Sequence, residues 1–367
     1  MSGVAVTVVI PALNEEKHLA ACLKSVRRQK GVIWNCVVID DGSSDETLSI
    51  AKKVAAADGR FLVIQNDKSQ GLAAARNLGL RAASGTWVTF LDADDFLFPS
   101  ALARRVQRLG ESPLGVIGCY GDWVSVPERT MLLPFRRRAA KREDVWLVPA
   151  NRSVPFIASA PLLKRDLVLA LGGFDESAIT AEDAEFWQWW LRLNGRTVYE
   201  PTLCVAYRRR ADSMTRRDPV EHFRAIQAAF VSFDLEWNDA PKGVLGRTDA
   251  YYRVAAGAAP GACFTAAGEL AERSDEGALR VIEAVDSDVL RLMGSTRLST
   301  DAYALAVRRT RGTSGSRGRL EALKKIKPSL LRLLSESESA AITNEELLQA
   351  AHWLCGKRKT NASKSSK

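Results

Sequence analysis

Short apolar runs alternate with stretches of helical spacing through the first third of the chain, and that alternation leaves few folds open. β-Branched and apolar residues at 4–10, 37–40, 61–65, 86–91 and 115–120 read as strands. Between them, 15–29, 45–57, 72–83 and 100–109 carry apolar residues at helical spacing, as Leu19, Cys22, Leu23 and Val26 do in the first. Strand–helix alternation of this kind predicts an α/β fold, with a mainly parallel sheet covered by helices on both faces. Ligands of such sheets bind beyond the carboxyl ends of the strands. Residues 11–14, 40–44, 70–71 and 92–95 all fall at such ends, so these four segments are where a site is expected.

The chemistry at those ends is acidic. Strand 86–91 runs into Asp92-Ala93-Asp94-Asp95. Asp92 and Asp94 are two residues apart, so at a strand end both point the same way and can converge on one hard cation. The same three aspartates also suit a turn and helix cap before Pro99, and taken alone the two readings balance. The first strand ends in Pro11-Ala12-Leu13-Asn14-Glu15-Glu16, and the second in Asp40-Asp41-Gly42-Ser43-Ser44-Asp45. A carboxylate at Asp40 could accept from a nucleobase or ribose, and Gly42 would let the backbone come close, although Asp-Gly is also an ordinary turn. Arg76, one turn into the helix opened by Gly71, could reach a phosphate or a neighbouring carboxylate.

Taken in order, these segments resemble the nucleotide-binding half of a family 2 glycosyltransferase with the GT-A fold. The matching stretches are Val-Ile-Pro-Ala-Leu-Asn-Glu-Glu, Ile-Asp-Asp-Gly-Ser-Ser-Asp-Glu-Thr, Gly-Leu-Ala-Ala-Ala-Arg-Asn and Phe-Leu-Asp-Ala-Asp-Asp. Gly-Gly-Phe-Asp-Glu at 172–176 and Glu182-Asp183 extend the likeness into an acceptor half, so that it covers roughly residues 1–215. The resemblance implies that Pro11, Ala12 and Asn14 border the base and that Asp40 bonds the nucleobase. It implies that Asp94 ligates Mg²⁺ or Mn²⁺ on the donor diphosphate, that Asp92 lies nearer the ribose and metal shell, and that Arg76 supports the carboxylates or sugar. Asp183 matches the aspartate that takes the acceptor proton, with Glu182 the second choice. Asp183 also sits near a capping-box position if Thr180 caps the helix, and the two roles are compatible. Of Trp187, Trp189 and Trp190, at least two are expected to pack in the core and not stack on sugar.

One departure stands out. Where family members often carry a histidine that can join the metal or diphosphate, Tyr207-Arg208-Arg209-Arg210-Ala211-Asp212-Ser213-Met214-Thr215 has Arg210. A guanidinium cannot ligate a cation but neutralises phosphate directly, so charge neutralisation could be shared between a metal and Arg210.

Domain organisation follows the change in texture along the chain. Residues 1–218 are expected to form the catalytic domain, with 1–100 the nucleotide-sugar-binding half and 101–218 the acceptor half. Within the latter, helices are expected at 164–171 and at 182–194, ended by Gly195, and a strand at 205–207. Alanine-rich helices are expected over 219–309, a Gly/Ser/Arg linker over 310–319, and short helices over 320–355, one opened by the capping box Thr343…Glu346. A basic disordered tail over 356–367 completes the reading.

Six scattered cysteines with no paired spacing fit a reducing compartment, and with only three histidines in the chain no zinc site is expected. No run approaches the roughly 20 apolar residues of a membrane span, so neither secretion nor insertion is predicted. A formal net charge of +9 includes Arg136, Arg137, Arg138 and Arg208, Arg209, Arg210. Such runs suit an anionic partner or are simply solvated. The resemblance favours a nucleotide-sugar donor and a saccharide or lipid-linked acceptor, with no nucleic acid. It implies a non-processive inverting transferase of bacterial surface-polysaccharide or glycolipid assembly. Such an enzyme would be cytoplasmic, with the arginine runs available for peripheral contact with anionic lipid at the inner face of the plasma membrane. A processive synthase is disfavoured, because its Gln-x-x-Arg-Trp motif is missing. A nucleotidyltransferase, or a non-catalytic nucleotide-sugar-binding protein, is the alternative.

Overall fold

A computed structural model of the chain describes residues 5–127, 136–138, 157–210 without 179, 181, 191 and 194, residue 241, and 342–365. Four strands form the parallel half of one sheet: β1 (Val6–Ala12), β2 (Trp34–Asp40), β3 (Phe61–Gln65) and β4 (Trp87–Phe90). β1 lies between β2 and β4, parallel to both, and every one of its residues is buried. Cover on both faces explains why it reads as an unbroken apolar run without polar alternation. The sheet continues in the order β3-β2-β1-β4-β8-β6-β9-β5, adding β5 (Phe96–Leu97), β6 (Val116–Pro127), β8 (Leu162–Lys164) and β9 (Arg196–Arg209). β7 (Arg136–Arg138) pairs with β6 off this path. β8 is antiparallel to β4 and β6, β6 and β9 are parallel, and β5 is antiparallel to β9. The parallel expectation therefore holds for the first half of the sheet, and the second half is mixed.

Helices α1 (Leu19–Arg27), α2 (Thr47–Ala57), α3 (Leu72–Ala82) and α4 (Ala101–Gly110) fill the connections. α1 buries Leu19, Cys22, Leu23 and Val26, the four positions that its spacing marks. It starts later than the expected residue 15, and the N–H groups of Glu15 and Glu16 bond to Thr47 Oγ1 (2.7 Å) and Asp45 Oδ2 (3.2 Å). These bonds hold the segment after β1 against the start of α2.

α5 (Arg165–Ala170) and α6 (Glu182–Trp190) follow β8. α6 is shorter than the expected 182–194 and closes with tight turns from Arg192 N–H to Trp189 O and Leu193 N–H to Trp190 O, each 3.1 Å. Gly195 is required by packing and not as a helix stop: a Cβ there would lie 2.4 Å from Ile117 Cγ2. Trp187, Trp189 and Trp190 are all buried in the main core.

α7 (Asn344–Ser365) is opened by the anticipated capping box, Glu346 N–H to Thr343 Oγ1 (3.2 Å) and Thr343 N–H to Glu346 Oε2 (2.8 Å). Its Leu347, Ala350, Ala351 and Leu354 join the same core as β1 and α6. The helix continues through 356–365, where composition suggested an irregular tail. The expectations for 219–309, for the linker 310–319 and for helix within 320–341 lie outside the described residues, apart from residue 241.

Candidate active site

The carboxyl ends of β1, β2 and β4 lie side by side. Pro11 and Ala12 are the last residues of β1, both buried, and Ala12 is in register with Asp40 at the end of β2. Asp40 is buried; its Oδ2 accepts from Ser43 N–H at 3.4 Å, and its Oδ1 has no hydrogen-bond partner among the described residues. A buried acceptor left bare is costly unless a ligand donates to it.

Neighbouring residues brace the loops. Asp41 accepts from Asn66 Nδ2 (2.7 Å), Ser69 Oγ (2.7 Å), Gln70 N–H (2.9 Å) and Gly71 N–H (3.0 Å), folding segment 66–71 over the sheet end. Gly42 has φ +78°, and a Cβ on it would stand 2.8 Å from the backbone of Lys68 and Ser69. The glycine is thus explained by the approach of that segment. Asn14 takes a left-handed conformation (φ 55°), with Oδ1 accepting from Ser44 N–H at 2.9 Å and its own N–H donating to Ser43 Oγ at 3.0 Å. Asparagine tolerates that backbone, and its side chain ties the two loops together.

Beyond β4, the 92–95 segment is fixed by its last residue. Buried Asp95 accepts from Ser159 Oγ (3.0 Å) and Arg208 N–H (2.9 Å), while Arg208 Nε donates to Asp94 O (2.9 Å). Asp95 is therefore structural. Asp92 and Asp94 keep partly exposed carboxylates, each matched to an arginine. Arg210 donates to Asp94 Oδ2 at 3.4 Å and also bonds Glu15 Oε1. Burial pushes the Asp94 carboxyl up to about 7; the charges of Asp92 and Glu15 add to the rise, and Arg210 opposes it. This crowding of carboxylates is a site short of positive charge.

Arg76 is the hub. Its side chain is 2% exposed, Nη2 donates to Asp92 Oδ1 at 2.8 Å, and Nη1 bonds Glu182 Oε1. Burial disfavours its charge, but Asp92, Glu182 and Asp183 more than offset that and hold it protonated. Glu182 is buried, and its carboxyl is raised by burial despite Arg76, with Asp183 adding to the rise. Asp183 is half-buried beside it at the start of α6. The next residue of α3, Asn77, clamps the Gly-Gly-Phe turn, with Oδ1 accepting from Phe174 N–H and Nδ2 donating to Phe174 O, both 2.8 Å. Gly173 (φ +71°) has no alternative there, since a Cβ would fall 2.2 Å from Asn77 Oδ1.

The structure thus brings together Asp92, Asp94, Arg76, Glu182, Asp183 and Arg210, with Asp40 at the adjacent strand end. Glu15, Asp41 and Arg208 were not singled out from sequence. Glu15 lies within the Asn-Glu-Glu stretch, but nothing local signals its partner 195 positions away. Asp92 and Asp94 offer hard oxygen donors that suit Mg²⁺ or Mn²⁺. Among the described residues no group of three or more His, Cys, Asp or Glu could hold a metal, so a cation at Asp94 would complete its shell with diphosphate and water oxygens.

Comparison with known proteins places this geometry. Residues 7–153 match the family model described as glycosyl transferase family 2. A "PGL/p-HBAD biosynthesis glycosyltransferase" of Mycobacterium bovis (strain BCG / Pasteur 1173P2) is 42% identical over 118 residues, 32% of this chain and 45% of that protein, so the chain spans less than half of that relative. The "Succinoglycan biosynthesis protein ExoO" of Rhizobium meliloti (strain 1021) is 28% identical over 62% of this chain and 67% of its own length. Among solved structures, S. aureus TarS 1-349 in complex with UDP-GlcNAc aligns with a TM-score of 0.55 at 19% identity, covering 84% of this chain and 89% of that one. The same protein in complex with UDP aligns with a TM-score of 0.54. The likeness therefore has two parts: residues 7–153, which include the strand-end segments, match the glycosyl transferase family 2 model, and the fold is the one shared with the TarS structures.

Proposed function

We propose that the chain is an inverting, non-processive glycosyltransferase that moves a sugar from a nucleoside-diphosphate sugar to a hydroxyl of a saccharide or lipid-linked acceptor. The observation that carries this reading is the Arg76 bridge. One buried guanidinium joins Asp92, on the strand-end loop, to Glu182, which sits beside Asp183 and 106 residues from Arg76 itself. Donor-side and acceptor-side carboxylates are thereby held in one site.

Each group has a role that its surroundings support. The bare Oδ1 of Asp40 suits a nucleobase N–H. Mg²⁺ or Mn²⁺ held by Asp94, with Asp92 beside it, would supply the charge that stabilises a departing diphosphate. Arg210, already at Asp94, adds a guanidinium to the same task. Glu182 is bound to Arg76, and Asp183, its neighbour at the start of α6, is the residue we assign to accept the acceptor's proton. The first turn of α6 carries Glu182, Asp183 and Glu185, and a helix N-terminus favours an ionised carboxylate there. As the acceptor oxygen bonds the anomeric carbon from one face, the bond to the diphosphate breaks on the other. The proton passes to Asp183, the diphosphate leaves, and the configuration inverts.

UDP-sugars are the first donors to test, because the structural neighbour is described with UDP and UDP-GlcNAc. The names of the relatives point to surface polysaccharide or glycolipid as the acceptor class. Among the described residues no helix is long and apolar enough to cross a membrane, and we propose that a lipid-linked acceptor is met from the cytoplasmic face. We keep 1–218 as the catalytic domain, divided at about residue 100. The test is nucleoside diphosphate release from a panel of nucleotide sugars with Mg²⁺, Mn²⁺ or EDTA. Release of one nucleoside diphosphate, lost in Asp94→Ala and Asp183→Asn, is the expected result. Pyrophosphate as the product would make the chain a nucleotidyltransferase. Donor binding without turnover in the presence of lipid and saccharide acceptors would make it a binding protein.

A further inference from the structure

α7 belongs to no segment that the family match covers, yet it packs directly behind the acceptor-side carboxylates. Its Arg358 spends the whole guanidinium on two elements. Nε donates to Glu185 Oε1 at 2.7 Å and Nη2 bonds Glu185 Oε2, a two-pronged pair on α6. Nη1 donates to Gly173 O at 2.7 Å and to Leu171 O at 3.2 Å, capping carbonyls at the end of α5. Both side chains of the pair are mostly buried, at 12% and 16% exposure. Glu185 Oε1 also receives Trp189 Nε1 at 2.7 Å, so its carboxylate is fully engaged.

The turn at 171–174 is therefore gripped from two sides. α3 holds it through Asn77, and α7 approaches so closely that a Cβ on Gly172 would stand 3.0 Å from Cys355 Sγ. Phe174, at the end of that turn, stacks on Phe186 of α6 at 4.8 Å and lies under Arg76 at 5.3 Å. Glu185 is one helical turn from Glu182, so whatever fixes Glu185 fixes the roll of α6 that presents Glu182 and Asp183.

We propose that Arg358 is a positioning residue: by pinning Glu185 and the 171–173 carbonyls at once, α7 sets the orientation of the α6 N-terminus and hence of Asp183. The proposal rests on the transferase reading of Asp183 and adds that the C-terminal helix is a working part of the same site. Arg358 itself touches no substrate.

The test uses the full chain with Arg358→Gln, Arg358→Lys, Glu185→Gln and the Arg358→Gln/Glu185→Gln double variant. The expected result for Arg358→Gln is a tenfold or greater fall in kcat for nucleoside diphosphate release, with donor KM and the Kd for UDP within twofold of wild type. Glu185→Gln should fall as far and the double variant no further, while Arg358→Lys, which keeps the charge without the fork, should lie between. Amide exchange is the activity-independent arm: residues 182–186 should exchange faster in Arg358→Gln, with β1 unchanged. Wild-type kcat in folded Arg358→Gln, equal losses in kcat and donor binding, or unchanged exchange at 182–186 would each overturn the proposal. If Arg358→Gln does not fold, Arg358→Lys decides by the same two measurements. If wild type turns over no donor, the transferase reading falls, while the exchange arm still decides whether α7 holds α6.

Discussion

Replacing Arg76 by methionine keeps most of the side chain's volume and removes only its charge and hydrogen bonds, which makes the electrostatics of the hub measurable. Two carboxylates lose a partner, but unequally. Asp92 has a side chain 32% exposed, so water takes over much of the lost pairing. Glu182 is 6% exposed and cannot be hydrated in place. Its loss dominates, and breaking a buried pair of this kind costs about 3–5 kcal/mol. The folded variant has one way out, which is to bind a proton at Glu182.

That escape sets a pH signature. Burial already holds the Glu182 carboxyl above its ordinary 4.5, and Arg76 is what restrains it. Without Arg76 the folded value rises further, so the folded state carries a proton that the unfolded chain has released above 4.5. A raised acid lowers stability as pH climbs between the unfolded and folded values. At about 1.4 kcal/mol per unit, neutralising Glu182 costs up to roughly 5 kcal/mol at pH 8 and below about 1 kcal/mol at pH 5. Urea unfolding followed by the fluorescence of Trp187, Trp189 and Trp190, all buried on α6, reads the difference. Arg76→Met should lose about 3–5 kcal/mol at pH 8 and far less at pH 5, and adding Glu182→Gln should restore most of the pH 8 loss. Equal losses at the two pH values, or no rescue by Glu182→Gln, would refute the assignment of Arg76 as the brace of a buried carboxylate.

Asp94→Asn should stabilise the metal-free protein at pH 8 while abolishing turnover. The wild-type carboxyl, pushed up to about 7, contributes stability at low pH that is lost as pH rises through that value. With the group 20% exposed, the gain is about 2 kcal/mol, and thermal unfolding in EDTA that shows no rise in Tm at pH 8 would sink the idea. Asp40→Asn should weaken UDP binding about tenfold or more, the worth of one charge-assisted hydrogen bond to a nucleobase, and calorimetry giving an unchanged Kd would remove Asp40 from the site. Thr343→Ala should cost about 1 kcal/mol by opening the capping box of α7, read from the urea midpoint; no shift would mean that α7 docks independently of its cap.

The strands legible in the sequence were those covered on both faces, because burial on two sides writes itself as an apolar run; β1 and β2 are the clearest. The sequence pattern marks β9 only at 205–207, although it spans Arg196–Arg209. Glu200, Pro201 and Thr202 interrupt its apolar pattern where the register with β6 shifts, so a long strand reads as irregular chain. β5 and β8 have two and three residues, too few for any period to show. Motif singles out the acidic residues at the strand ends, but not which of them are occupied by the protein's own groups. Asp95 looks like Asp92 and Asp94 until Ser159 and Arg208 N–H are seen to occupy it, and Asp41 looks like half of a turn until four donors converge on it. Such facts depend on partners tens to hundreds of residues away, which no local pattern carries.

Three arginines hold this site together, and their burial and their partners separate their tasks. Arg76, 2% exposed, cannot leave Glu182 without stranding a buried charge, so it is a fixed brace between α3 and α6. Arg358 and Glu185, at 12% and 16%, are nearly as constrained, and they tie α6 to α7. Arg210 is as exposed as that pair, at 16%, but Glu15 and Asp94, which it bonds, crowd each other: they are like charges, and the Asp94 carboxyl, raised first by burial, is raised further by Asp92 and Glu15. An arriving diphosphate would offer Arg210 a stronger anion, and an accompanying cation would offer the two carboxylates a stronger partner. Both exchanges trade a frustrated contact for a better one, whereas displacing Arg76 or Arg358 would only break a satisfied one. On that ground we propose that Arg210 is the guanidinium that meets the ligand, and that the other two keep the carboxylates in place for it.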